Sequence, residues 1–240
     1  MQAAQPLSTP LTQRISDAQL LLADVAKRFS PATLASSLAA EDMVLTDMIL
    51  RTGLPINIFT LETGRLPKES LEMLDKIKQH YGVEIETYRP DPAAVDEYVK
   101  NHGLNAFYES VDLRKTCCGI RKVEPLKRAL TGKRAWITGM RREQSVTRGE
   151  LDVQEYDSAH ALEKFNPLAG WLEGDVWDYI QTFSVPYNAL HDRGYPSIGC
   201  DPCTRAIKPG EDIRAGRWWW ENADNKECGL HVQPVEFRKP

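Results

Sequence analysis

The stretch PATLASSLAAEDMVLTDMILRTGLPINIFTLETGR, residues 31–65, carries the reading that decides the fold. Thr33 and Leu34 lead as a strand into the pair Ser36–Ser37, Glu41 and Asp42 open an apolar helix, and Gly53 closes it. Pro55–Ile56–Asn57–Ile58–Phe59 then reads as a buried-type strand, and Thr63–Gly64–Arg65 as a turn. The same alternation extends both ways. Ile15, Ala18, Leu21, Leu22, Val25 and Phe29 recur at helical spacing over 14–29. Downstream, Pro67 starts a helix with Leu71, Leu74 and Ile77 inside, ending near Gly82. Val83–Glu84–Ile85–Glu86 reads as a third strand, and helices follow from Pro92 to about Lys100 and from about Cys117 to Leu130. Ala135–Trp136–Ile137–Thr138–Gly139 is a fourth strand.

Strands alternating with helices predict an α/β fold with a parallel sheet covered on both faces. Ligands in such sheets bind outside the carboxyl ends of the strands. Those ends, Ser36–Ser37, Glu62–Arg65 and Gly139–Arg142, are expected to converge on one crevice. After about residue 150 the periodicity loosens. The segment from Arg205 onward, with Trp218–Trp219–Trp220, reads as a C-terminal tail that the tryptophans anchor by apolar burial.

Bulk properties narrow the function. With 240 residues, 42% hydrophobic and 27% charged, the chain can bury a sizeable core and has no signature of disorder. A net charge of −4 argues against a general nucleic-acid binder, so an anionic partner must meet a local basic cluster. The start, MQAAQPLSTPLTQ, lacks the basic and apolar runs of a secretory signal, and no stretch approaches the roughly 20 apolar residues of a membrane span. A cytoplasmic setting is expected, where thiols stay reduced. Five cysteines there read as ligands or nucleophiles rather than as disulfides.

Four of the five form two pairs, Cys117–Cys118 and Cys200–Asp201–Pro202–Cys203. Four thiolates suit zinc or an iron–sulfur cluster, and side chains diverging from adjacent cysteines reach two corners of a cuboidal cluster more easily than one ion. The bland alternative is four unliganded buried thiols. Arg114, Lys115, Arg121 and Lys122 crowd the same region, as a solvated helix face or as cations beside a cluster or an anionic substrate. Cys228, in KECGLH, stands in a polar tail with Lys226 and His231 nearby to lower its pKa and Glu227 opposing them, a setting for reactivity rather than for packing. Ser36–Ser37 ahead of Glu41–Asp42 offers either a phosphate-binding turn or an ordinary helix cap. Gly139–Met140–Arg141–Arg142 is a second candidate anion turn, and Arg205, Arg214 and Arg217 suit phosphate or sulfate. The Walker sequence GxxxxGK[ST] does not occur.

Read in order, SSLAAEDMVL, LETGRL, RKTCCGIRKVEPL, WITGMRREQSVTR, FNPLAGW, VPYNALHDRGYPSIGCDPCTR, GRWWWE and KECGLH resemble the assimilatory sulfonucleotide reductases, most closely the bacterial adenosine 5′-phosphosulfate (APS) reductases. The resemblance covers the chain from about residue 30. It implies a fold like that of the adenine-nucleotide PP-loop enzymes, with a reductase domain over 1–204 and a mobile catalytic tail over 205–240. It makes Cys228 the nucleophile at the sulfonucleotide sulfur, Cys117, Cys118, Cys200 and Cys203 the ligands of a [4Fe–4S] cluster, and thioredoxin the electron donor that releases sulfite. Lys122 matches the family lysine between cluster and substrate, and Arg214 and Arg217 match arginines that engage the phosphosulfate. Ser36, Ser37, Thr63 and Gly139 match positions lining the nucleotide site. Ala35, Leu38 and Ala39 depart from the family's serine-rich SSSFGAED loop, and Glu62 stands where LDTGRL has Asp. The rival readings are a 3′-phosphoadenosine phosphosulfate (PAPS) reductase, a tRNA-thiolating PP-loop enzyme (which would want SGGxDS), and an iron–sulfur electron carrier, which has no need of Cys228. Assembly into a homo-oligomer stays open.

Overall fold

The computed structural model describes residues 8–144 and 151–221. Chain order among these runs α1 (Thr9–Arg28), β1 (Ala32–Ser36), α2 (Ala40–Thr52), β2 (Ile56–Leu61), α3 (Lys68–Tyr81), β3 (Glu86–Tyr88) and α4 (Pro92–His102). It continues through α5 (Val111–Cys118), a π-helical turn (Gly119–Val123), α6 (Glu124–Leu130), β4 (Ala135–Ile137), β5 (Gln154–Asp157), β6 (Leu162–Phe165) and α7 (Glu173–Phe183).

The sheet order is β3-β2-β1-β4-β6-β5, parallel except for the antiparallel edge pair β5–β6. β1 lies between β2 and β4, with Ala32 in register with both Ile56 and Ala135. The chain therefore winds one way from β1 through β2 to β3 and the other way from β4 to β6. A crevice opens where the winding reverses, outside the carboxyl ends of β1 and β4.

β1 and β4 are apolar and buried on both faces because helices cover both sides of the sheet. α2 is the central covering helix, with Met43, Val44, Leu45, Met48 and Ile49 fully enclosed. Asp47 sits inside the same helix without exposure and is satisfied by Tyr81 Oη and Tyr179 Oη, both at 2.8 Å, and by the Arg51 guanidinium. A buried charge is tolerated only when paired in this way. Among the described residues no helix is long and apolar enough to cross a membrane.

Three readings need correction. The third strand is Glu86–Tyr88 rather than 83–86, since only those residues pair with Phe59–Leu61. Val83 and Ile85 instead pack partly buried against the core on the way into the strand, which gave them the alternation of a strand. The helix expected from about Cys117 begins six residues earlier, where the Ser110 hydroxyl caps the N–H of Leu113 at 3.1 Å. The loosened pattern after residue 150 conceals helix α7 and the hairpin of β5 and β6, whose short strands pair the buried Lys164 with the half-buried Glu155 at 2.8 Å. Charged residues inside strands hide the period of two.

Candidate functional site

The three expected strand ends meet in one cleft of about 220 Å³. Its floor is the turn after β1, where Leu38 is held at φ +64° with its side chain fully buried. Such a backbone is costly for a residue with a Cβ and persists only when its surroundings enforce it. The Leu38 N–H donates to Ser36 Oγ at 3.2 Å. Asp42 braces the turn from α2: its Oδ2 accepts from the Ser37 N–H at 2.7 Å and from the Ser37 hydroxyl. Its Oδ1 accepts from the Gly139 N–H at 3.0 Å, tying the end of β1 to the end of β4. Burial pushes the Asp42 carboxyl up to about 6, against the hydrogen bonds that lower it. Gly139 is required here, because a Cβ would lie 2.4 Å from Asp42 Oδ1.

Two neighbours complete the floor. Glu41 pairs with Arg141 at 2.9 Å, a guanidinium that is itself buried and also holds Glu143. His191 Nε2 accepts from the Ala40 N–H at 3.2 Å, at the N-terminus of α2, and burial lowers its pKa. Ala35, Phe59, Leu61, Leu126 and Trp136 give the cleft an apolar wall, while Lys122, Arg214 and Arg217 bring positive charge to its lining. The cleft thus offers an apolar face and a positively charged face within one cavity.

The cysteines line a second, smaller cavity directly alongside. Cys117, Cys118, Cys200 and Cys203 face it together with Arg65, Arg114, Arg121 and Lys122. The helices explain the convergence: Cys117 and Cys118 end α5, and the π-helical turn that follows carries Arg121 and Lys122 to the same side. Asp201 N–H donates to the Arg65 carbonyl at 2.8 Å, and Thr63 Oγ1 lies 3.3 Å from Cys200 Sγ. Burial, with Cys200 adding, pushes the Cys203 thiol up to about 12, and burial also raises Cys117. Thiolates here need a bound cation to be tolerated. Among the described residues no three or more His, Cys, Asp or Glu side chains are arranged to hold a metal ion. The donor set around the cavity is nonetheless four sulfurs from two chain segments, ringed by cations, and this chemistry fits a soft, anionic iron–sulfur group.

Residues 204–221 strap this cavity. Thr204 bridges Arg217, the Arg205 N–H donates to the Gly216 carbonyl at 3.0 Å, and the Trp218 N–H donates to the Cys203 carbonyl at 3.1 Å. Trp218 is 1% exposed, lines both cavities, and holds φ +40° between the guanidinium groups of Arg114 and Arg217, each 4.8 Å from its ring. Arg217 also donates to Ser197 Oγ and the Ile198 carbonyl. Its guanidinium lies against Gly199, where a Cβ would come within 2.4 Å. Arg114 closes the strap with a bidentate pair to Glu221 at 3.0 and 2.8 Å.

Of the residues singled out from sequence, Ser36, Ser37, Thr63, Lys122, Gly139, Arg214 and Arg217 all line the larger cleft. Thr63 also touches the cysteine loop, and Lys122 and Trp218 line both cavities. Arg205 lies outside both linings and pairs with Glu211 at 2.8 Å. Cys228, with Lys226 and His231, lies outside the described residues. Sequence reasoning placed Arg141 in an anion turn but missed its buried pairing with Glu41, and missed Asp42 as the brace of the turn, His191 and the Arg114–Glu221 pair. Each joins residues far apart in the chain, Asp42 through its bond to Gly139, while its nearby bonds to Ser37 resemble an ordinary helix cap.

Comparison with known proteins follows this geometry. Residues 31–206 match the model of the phosphoadenosine phosphosulfate reductase domain. The chain is 59% identical over 232 residues to an adenosine 5′-phosphosulfate reductase of Burkholderia cepacia, covering 97% of this chain and 93% of that protein. It is 58% identical over 220 residues to one of Allochromatium vinosum, covering 92% and 86%. Among solved structures, a phosphoadenylyl-sulfate reductase of Candida auris in a phosphate complex superposes with a TM-score of 0.68 at 26% identity, over 85% of this chain and 100% of that one. The FMN adenylyltransferase of Candida glabrata with ATP, 14% identical with a TM-score of 0.59 over 98% of this chain and 79% of that one, shares the fold.

Proposed function

We propose that this chain, which belongs to the phosphoadenosine phosphosulfate reductase family, reduces adenosine 5′-phosphosulfate to sulfite and AMP with electrons from a thioredoxin. The observation that carries the reading is the single cleft in which an apolar wall, a hydroxyl-bearing turn and three basic residues adjoin a cavity of four cysteines. The relatives named as adenosine 5′-phosphosulfate reductases, at 58–59% identity, favour APS over its 3′-phosphorylated analogue.

In this reading the adenine lies on Phe59, Leu61, Leu126 and Trp136, and the ribose meets the turn of Ser36, Ser37 and Gly139. Lys122, Arg214 and Arg217 hold the phosphosulfate, drawing charge from the sulfate oxygens. The Cys228 thiolate attacks the sulfur, the bond from sulfur to the phosphate oxygen breaks, and AMP leaves with the electron pair. Cys228 is left as an S-sulfocysteine. A thioredoxin thiolate then attacks the Cys228 sulfur, and sulfite leaves with the pair of the sulfur–sulfur bond. The second thioredoxin thiol resolves the mixed disulfide and regenerates Cys228.

Cys117, Cys118, Cys200 and Cys203 would hold a [4Fe–4S] cluster, which when bound supplies negative charge that orders Lys122 toward the sulfate. Arg121 donates to the Thr63 carbonyl at 2.7 Å and so keeps the β2 turn against this cavity. Residues 1–204 form the reductase body and 205–240 the segment that delivers Cys228, in a reducing cytoplasmic setting. Mixing the protein with APS in the absence of thioredoxin tests the reading. Mass spectrometry is expected to find sulfonate on Cys228, and Cys228→Ser to stop sulfite formation while cofactor absorbance is kept. A Cys228→Ser enzyme that still makes sulfite with thioredoxin sinks it. Faster turnover of PAPS than of APS reassigns the substrate.

A further inference from the structure

Arg114 and Glu221 are the most deeply enclosed ion pair among the described residues, with side chains 0% and 5% exposed. The pair is bidentate, Nε and Nη2 each meeting one carboxylate oxygen, and the Arg114 guanidinium also lies over the Trp218 ring. A buried ion pair adds little net stability over apolar groups of similar volume, because both charges lose their water. What such a fork does provide is a fixed direction and distance between the elements it joins.

Those elements are informative. Arg114 lies on α5, one turn before Cys117, so its position is rigidly tied to the cysteine cavity. Glu221 ends the strap of residues 204–221, seven residues before Cys228. Seven residues span at most about 25 Å. Fixing Glu221 therefore fixes the origin from which Cys228 can reach the cleft.

We infer that Arg114 and Glu221 are positioning residues for the transfer step: their ion pair anchors the root of the Cys228-bearing segment to the helix that carries Cys117 and Cys118. The inference rests on the proposed role of Cys228 as nucleophile and adds to it a reason for the nucleophile and the four cysteines to work as one unit. With the anchor in place, the chain toward Cys228 leaves from a fixed point beside the cysteine cavity. With it broken, that starting point is no longer held, and the effective concentration of the thiol at the substrate is expected to fall.

The test separates positioning from folding. Glu221→Gln keeps the shape and removes the charge, and Arg114→Lys keeps the charge and removes the fork. Each variant is compared with the unmodified holoprotein in three measurements: AMP affinity by calorimetry, cofactor absorbance, and the single-turnover rate of sulfonate formation on Cys228 at saturating APS. The expected result for Glu221→Gln is a rate reduced tenfold or more with AMP affinity within twofold and absorbance retained. Arg114→Lys is expected to fall between it and the unmodified protein. A rate within twofold of the unmodified protein in either folded variant overturns the inference, as does a loss of rate that only follows loss of AMP affinity or absorbance. Failure of the unmodified protein to form any sulfonate on Cys228 overturns the functional reading itself, and this inference with it.

Discussion

The turn after β1 draws its contacts from residues 36–42 and from Gly139 and Arg141, two strand ends that the sheet places side by side, with His191 added from later in the chain. The neighbouring cysteine cavity draws on residues 63–65, 107, 114–122 and 198–221, gathered from opposite ends of the chain. The first is a product of local strand-to-helix geometry and its strain is internal. The second exists only because a strap folds back across it, and it is held by buried cations and one tryptophan. A site made locally tolerates loss of distant contacts, whereas a site made by closure fails when any of its contributors is removed.

The sharpest way to break this contrast is Cys200→Ala. Iron and acid-labile sulfide are expected to disappear entirely while AMP affinity stays within about threefold, because the turn and the apolar wall do not depend on that thiol. Retention of iron by the variant contradicts the cluster ligand set. Next in size comes the tryptophan pair. Trp218→Ala is expected to cost about 3–5 kcal/mol in urea unfolding, since it empties a fully buried site, whereas Trp219→Ala, half exposed, stays within about 0.5 kcal/mol.

The third measurement sharpens the turn side. Asp42 has its folded-state carboxyl raised from 3.8 to about 6 by burial. Its contribution to stability is therefore fully present below about pH 4 and is lost as pH rises through about 6. The stability of the unmodified protein relative to Asp42→Asn is expected to fall by about 2–3 kcal/mol between pH 4 and pH 7. A flat difference shows that Asp42 is not the buried titrating group. Smallest is Gly139→Ala, which drives a methyl into Asp42 Oδ1. A loss of about 1–3 kcal/mol is expected, read as a fivefold or greater loss of AMP affinity with iron content unaffected.

The same contrast explains what could be read without coordinates. Residues 31–65 declared strand, helix and strand because apolar runs, Gly53 and Pro55 punctuate them locally. The strand ends met as expected because parallel winding leaves them no other place. β3 was displaced because Val83 and Ile85 bury their side chains without joining the ladder. The β5–β6 hairpin was hidden because Glu155 and Lys164 satisfy each other inside it. The cysteine pairs announced a shared role, yet nothing near Arg114 marks Glu221, 107 residues away, as its partner. Long-range pairing of opposite charges leaves no periodic trace in sequence.

The strap that ends at Glu221 also has a consequence in time. As a chain emerges from the ribosome, the turn has Gly139 and Arg141 soon after β4 has been made and waits only for His191. The cysteine cavity cannot close until residues 198–221 are available, and the contact of Thr63 with Cys200 spans 137 positions. Contacts of such separation form late. Cys117 and Cys118 thus wait without their partner thiols through the synthesis of some eighty further residues before Cys200 appears. The four thiols can act together only after the strap has been made, and the order of the chain decides when that begins.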